Sequence, residues 1–136
     1  MTDNELCKAA ICALNNAYAP YSGYKVGAAL LCGDGSVYMG CNIENASYSA
    51  TVCAERTAIF KAVSEGKTDF SAIAIAGGKD GVISGVFPPC GVCRQVIAEF
   101  CNPQFKILLV KNNEESEEYT LSELLPLSFN SDNIKE

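Results

Sequence analysis

Residues 51–66 read TVCAERTAIFKAVSEG. Ile59, Ala62 and Val63 recur at helical spacing and Gly66 is a natural stop, so the stretch predicts a helix. Its middle, TAIF at 57–60, reads as core. Its front does not. Cys53 and Glu55 are either one more buried thiol and one more surface charge, or a thiolate and a carboxylate placed for chemistry. Upstream, KVGAALLC (25–32) and SVYMGCNI (36–43) are strand-like runs around GDG, a hairpin turn. Downstream, FSAIAIAG (70–77) reads as a buried strand and GGKDGVISG (77–85) as a glycine-rich loop. PPCGVCRQVIAEFC (88–101) opens on proline and continues at helical period through Val96, Ile97 and Phe100. FKILLVKN (105–112) is another buried strand, NNEESEE (112–118) a charged turn, and YT (119–120) the start of a short strand. TLSELLP (120–126) reads as a small capped helix and NSDNIKE (130–136) as a polar tail. At the other end, TDNELCKAAICALNNAY (2–18) is a helix with a capping-box pattern at Thr2 and Glu5, broken by APYSG (19–23). Helices alternating with continuous apolar strands after a hairpin predict an α/β sandwich, its mixed sheet covered on both faces.

Composition narrows the function. The 136 residues suit a single domain, 1–136, with 49% hydrophobic and 19% charged residues. A net charge of −6 argues against a phosphate backbone as the main partner. No apolar run approaches the roughly 18 residues that span a bilayer. The opening MTDNELCKAA is acidic where an export signal is basic, so the expected location is cytoplasmic. There reducing conditions keep thiols free, and Cys7, Cys12, Cys32, Cys41 and Cys101 read as small core residues. Of eight cysteines that leaves three, and there is no histidine. Any metal must use Cys, Asp or Glu, and any general base must be something other than imidazole.

Cys90 and Cys93 in PCGVC lie three apart at a helix start, where free N–H groups and the helix dipole favour thiolate. A lone C-x-x-C fits core cysteines, a redox dithiol or two zinc ligands. Cys53, at the start of the other helix, shifts the balance. Two helix N-termini can meet at one sheet edge, and three thiolates hold zinc while leaving a fourth position for water. Glu55, close to the metal but free of it, can take a proton from that water and pass it to a substrate. CAE at 53–55 followed by PCGVC at 89–93 has the form of the zinc deaminase signature in its all-cysteine variant.

The chain also resembles the small, homotetrameric cytidine deaminases over nearly its whole length. AYAPYSGYKVGAALL (17–31), GCNIENASYSATVCAERTAIFKAVSEG (40–66), PPCGVCRQVIAEF (88–100) and ELLPLSF (123–129) carry the likeness, in order. The resemblance implies a three-layer α/β/α sandwich with a five-stranded mixed sheet and one Zn2+ per subunit. It implies hydrolytic deamination of cytidine and deoxycytidine in pyrimidine salvage, by a homotetramer whose active sites are completed by neighbouring subunits. It makes Cys53, Cys90 and Cys93 the zinc ligands and Glu55 the proton shuttle. Asn42 and Glu44 match residues that bind a ribose hydroxyl, Tyr24 an aromatic beside the ligand, and the Ala54 backbone a contact to the pyrimidine. Phe129 matches an aromatic that reaches a neighbour's active site. Taken alone, Asn42 and Glu44 would be a polar strand end, and Tyr24 and Phe129 core or interface aromatics.

Arg56 matches an arginine that offsets the charge of a three-cysteine site. Zinc with three thiolates carries one net negative charge, and a guanidinium on the sulfurs withdraws part of it. As a surface salt bridge it would matter little. Two departures from the family pattern border the leaving-amine side. Pro88 stands where members commonly carry Ser or Thr, and the 77–87 stretch is a few residues longer. A blasticidin S deaminase would share the zinc motif, but N-x-E at 42–44 favours a ribose-binding enzyme. A purely structural zinc module would need a fourth ligand such as Cys41 or Cys101. A thioredoxin-like enzyme would leave Cys53 and Glu55 unexplained.

Overall fold

The computed structural model describes residues 1–135. The elements are α1 (Asp3–Ala13), β1 (Tyr24–Cys32), β2 (Val37–Cys41), α2 (Ala54–Ser64), β3 (Phe70–Lys79), α3 (Gly91–Phe100), β4 (Lys106–Val110), β5 (Ser116–Thr120) and α4 (Leu121–Leu124). The five strands form one sheet in the order β2-β1-β3-β4-β5. β1 is antiparallel to β2 and to β3, β3 runs parallel to β4, and β5 returns antiparallel. The expected α/β class, mixed sheet and strand number are all present.

Side chains alternate between the two faces of the central strands. On one face Ala72, Ala74 and Ala76 of β3 pack with Leu6, Cys7 and Ala10 of α1. On the other, Ile73 and Ile75 pack with Ala58, Ile59 and Ala62 of α2 and Ile97 of α3. Two glycines set how closely helices lie on strands. A Cβ on Gly27 would stand 2.2 Å from the Ala10 carbonyl oxygen of α1. One on Gly40 would stand 2.5 Å from the Ala58 nitrogen of α2.

β2 and β3 are both antiparallel to β1 and so run the same way. α2 follows the first and α3 the second, on the same face of the sheet. Both helices therefore start from the same edge, at the carboxyl ends of those strands, where ligand sites of open α/β sheets gather.

Several boundaries differ from expectation. The first helix stops at Ala13, and Leu14–Asn16 form a 3₁₀ turn. Thr2 does cap it, accepting from the Glu5 N–H at 3.2 Å. β3 extends through Gly77, Gly78 and Lys79, so the expected loop begins at Asp80. These glycines serve close approach. A Cβ on Gly78 would stand 1.9 Å from the Val82 carbonyl oxygen. β5 begins at Ser116 and takes in Glu117 and Glu118, because a charged strand suits a sheet edge. Phe60 is 49% exposed, so TAIF is not core throughout; Phe60 lies one residue off the buried Ile59 face. Thr120 caps α4 with a full capping box, as expected.

Candidate metal centre and the cavity beside it

Cys53 and Cys90 are the N-cap residues of α2 and α3, one position earlier than a place within the first turn. Neither cap is closed by a side-chain hydrogen bond. The free N–H groups and positive dipole ends of both helices are thus turned toward the thiols. Cys93, fully buried, adds a third from the first turn of α3. The three sulfurs lie within 4.8 Å of one another, and Cys53 Sγ is 3.6 Å from Cys90 Sγ. Tetrahedral zinc with Zn–S bonds of about 2.3 Å holds sulfurs roughly 3.8 Å apart. Donor type and spacing therefore fit the ion.

The thiols share protons unequally. The Cys93 thiol, Arg56 and Cys90 hydrogen-bond Cys53 and hold it down to about 5, against the opposing effect of burial. Cys93 is pushed well up, by its hydrogen bond to Cys53 first and by burial second. Arg56 Nη2 donates to Cys53 Sγ at 3.6 Å, while its buried Nε has no protein partner. Glu55, in the first turn of α2, is 3% exposed. Burial above all, and then the charge of Cys53, push its carboxyl up to about 7.

A cavity of about 180 Å³ leads away from these groups. Cys53, Ala54, Glu55 and Cys90 line one end, and Asn42 and Glu44 the other. Asn42 is 8% exposed; with Glu55 it forms the buried polar pair among the described residues. Its Oδ1 accepts the Val26 N–H at 2.9 Å, and its Nδ2 donates to the Tyr24 carbonyl at 2.8 Å. Glu44 accepts from the N–H groups of Tyr21 and Ser22 and from the Ser22 hydroxyl. That hydroxyl is the main reason the Glu44 carboxyl lies below its usual range. The two ends are joined by main chain: Ile43 and Val52 exchange N–H···O=C bonds at 2.9 and 3.0 Å. Val52 immediately precedes Cys53.

Tyr24 also lines the cavity, its ring 6.1 Å from that of Phe87. Phe129 does not. It is 62% exposed, and its carbonyl accepts from Gln95 Nε2 at 2.7 Å on the outer side of α3. A larger hollow of about 540 Å³, between the end of α3 and residues 121–132, contains Cys101 but none of the expected site residues.

Sequence reading missed three contributors: Phe87, Ser22 and Arg94. Phe87 and Pro88 form an apolar wall. The trace of Phe87 is Gly77, where a Cβ would stand 2.8 Å from the Phe87 ring. Ser22 was hidden in a segment that reads only as a helix breaker. Arg94 clamps the approach to α3, donating to the Pro89 carbonyl at 2.7 Å and the Leu124 carbonyl at 2.6 Å; CGVCR alone offers no sign of this.

Residues 1–109 match the family model described as the cytidine and deoxycytidylate deaminase zinc-binding region. The chain is 51% identical over 122 residues to a cytidine deaminase of Sporosarcina psychrophila, covering 90% of this chain and 87% of the relative. It is 50% identical over 131 residues to a cytidine deaminase of Halalkalibacterium halodurans, covering 96% of each. A crystal structure of cytidine deaminase from Burkholderia pseudomallei superposes with a TM-score of 0.87 at 44% identity, covering 95% of this chain and all of the other.

Proposed function

The chain belongs to the cytidine and deoxycytidylate deaminase zinc-binding family, and on that premise we propose that it hydrolyses cytidine and 2′-deoxycytidine to the corresponding uridines with release of ammonia. The observation that carries this is one cavity that has two of the three clustered thiols, Cys53 and Cys90, and a buried carboxyl at one end and Asn42 with Glu44 at the other.

Cys53, Cys90 and Cys93 would hold one Zn2+ per subunit. Held there, zinc would supply a Lewis acid that acidifies water. Glu55 accepts a proton from that water and delivers it to N3 of the pyrimidine. As the water oxygen bonds to C4, Glu55 would take the proton of the new C4 hydroxyl and pass it to the exocyclic amine, and the C4–N bond breaks with release of ammonia as the C4 carbonyl forms. A carboxyl near neutrality suits both acceptance and return of a proton. The Ala54 backbone and the wall of Phe87 and Pro88 bound the pyrimidine, and Tyr24 packs beside it. Pro88 has no hydroxyl for the leaving amine, so a contact there falls to a carbonyl. Arg56 draws charge from the sulfurs. Asn42 and Glu44 take the sugar hydroxyl.

The assembly is a homotetramer, and Phe129 serves a neighbour's cavity. Its exposure, and its not lining its own chain's cavity, support that reading. The span 1–136 is one domain acting in cytoplasmic pyrimidine salvage; no helix among the described residues is long and apolar enough to cross a membrane. The deciding experiment follows absorbance with cytidine, deoxycytidine, cytosine and blasticidin S. Turnover of the two nucleosides alone is expected. Turnover of blasticidin S alone, or of none, would reject the proposal.

A further inference from the structure

The Glu44 carboxylate at the polar end of the cavity is already engaged. Oε1 accepts the N–H groups of Tyr21 at 2.9 Å and Ser22 at 3.1 Å, and Oε2 accepts the Ser22 hydroxyl. The same hydroxyl accepts the Tyr24 N–H at 3.0 Å. With that N–H occupying a lone pair, the hydroxyl proton is aimed at Glu44. An ionised carboxylate offers about four acceptor positions. Three are filled from residues 21 and 22, which leaves one, on Oε2.

The segment that supplies these donors is itself fixed. Gly23 takes a φ of +75°, a conformation open to glycine. Its carbonyl accepts the Asp80 N–H at 2.7 Å, and the Ser22 carbonyl accepts Lys79 Nζ at 2.6 Å. Lys79 Nζ also lies 5.1 Å from the centre of the Tyr24 ring. The end of β3 thus holds Ser22 and Tyr24 in place while Ser22 holds Glu44.

The geometry points to Ser22 as a positioning residue for sugar recognition: its hydroxyl, set by the Tyr24 N–H, fixes the Glu44 carboxylate so that one acceptor position is left for one secondary hydroxyl of a nucleoside sugar. This rests on the reading of Glu44 as a sugar-binding group. Without the Ser22 hydroxyl, Oε2 is free to turn and to exchange its partner for water. Recognition of the sugar then weakens while the reacting end of the cavity is untouched.

The test uses the zinc-loaded full chain and two substrates, cytidine and 2′,3′-dideoxycytidine, which lacks both secondary hydroxyls. For Ser22→Ala the KM for cytidine is expected to rise about tenfold, the scale of one lost hydrogen bond to a charged group, with kcat near the parent value. The KM for dideoxycytidine should hold. Ser22→Thr, which keeps the hydroxyl, should restore the cytidine KM. Zinc content and melting temperature establish that each variant is folded, and Ser22→Cys, close in shape but a weak donor, replaces the alanine variant if that one is not. Glu44→Ala separates the two levels. If it abolishes discrimination between the substrates while Ser22→Ala changes neither KM, or raises both equally, the role of Ser22 is overturned. If Glu44→Ala leaves discrimination intact, the sugar reading of Glu44 fails and the role of Ser22 falls with it.

Discussion

The two ends of the cavity are finished to different degrees. At the sulfur end two helix N-termini lack side-chain caps, Arg56 Nε is buried without a protein partner, and Glu55 sits near neutrality. At the other end Asn42 spends one donor and one acceptor on β1, and Glu44 has three donors on it. One end keeps its polar groups short of partners, whereas the other has most of its capacity fixed by neighbouring donors and acceptors. Reactive groups need unspent capacity; recognition groups need fixed direction.

The sharpest way to break this contrast is Cys53→Ala. Zinc should fall well below stoichiometric and turnover should vanish; full metal content by elemental analysis would mean another ligand completes the site. Next is Glu55→Gln, which should keep zinc and fold while kcat drops by about 10²–10⁴, the range for a positioned proton carrier. Near-parent turnover would remove Glu55 from the mechanism. Arg56→Gln should cost about 10–100-fold in zinc affinity or activity, as for groups that hydrogen-bond metal ligands. Metal competition titration measures it, and an unchanged affinity would leave Arg56 a packing role.

The smallest catalytic effect but the clearest stability effect is expected at the finished end. Asn42→Ala strands the Val26 N–H and the Tyr24 carbonyl, so unfolding by denaturant should show a loss of about 1–3 kcal/mol. If Asn42→Ala and Glu55→Gln destabilise alike, the two ends do not differ as described. Glu55→Gln, which replaces a buried carboxyl by a neutral amide of nearly the same shape, should instead be near neutral for stability.

The sulfur end was legible because its chemistry resides in residue types at fixed spacing. Cys53, Glu55, Cys90 and Cys93 stand in a chain without histidine, and each occupies a helix start that the local pattern predicts. The polar end was legible only through resemblance. The Asn42 bonds to Val26 and Tyr24 cross 16 and 18 residues and end on backbone atoms. Backbone partners leave no mark in a sequence, and the Ser22 hydroxyl meets the Glu44 carboxylate across 22 residues, so that link stayed invisible too. Gly77 and Gly78 misled for a related reason. Glycine signals a turn locally, yet here it admits Phe87 and the Val82 carbonyl against a continuing strand. Phe129 was legible as an aromatic but not in its placement, which depends on the path of the chain after α4.

Gly40 lies beneath α2, outside the cavity, with the helix backbone resting on it. The separation between Cys53 and the α3 cysteines is therefore gauged by a spacer of zero length. A single methyl at Gly40 would shim α2 outward and carry its sulfur away from the other two. Zinc affinity thereby doubles as a caliper for how the helix is seated, reading a displacement that no group in the cavity caused.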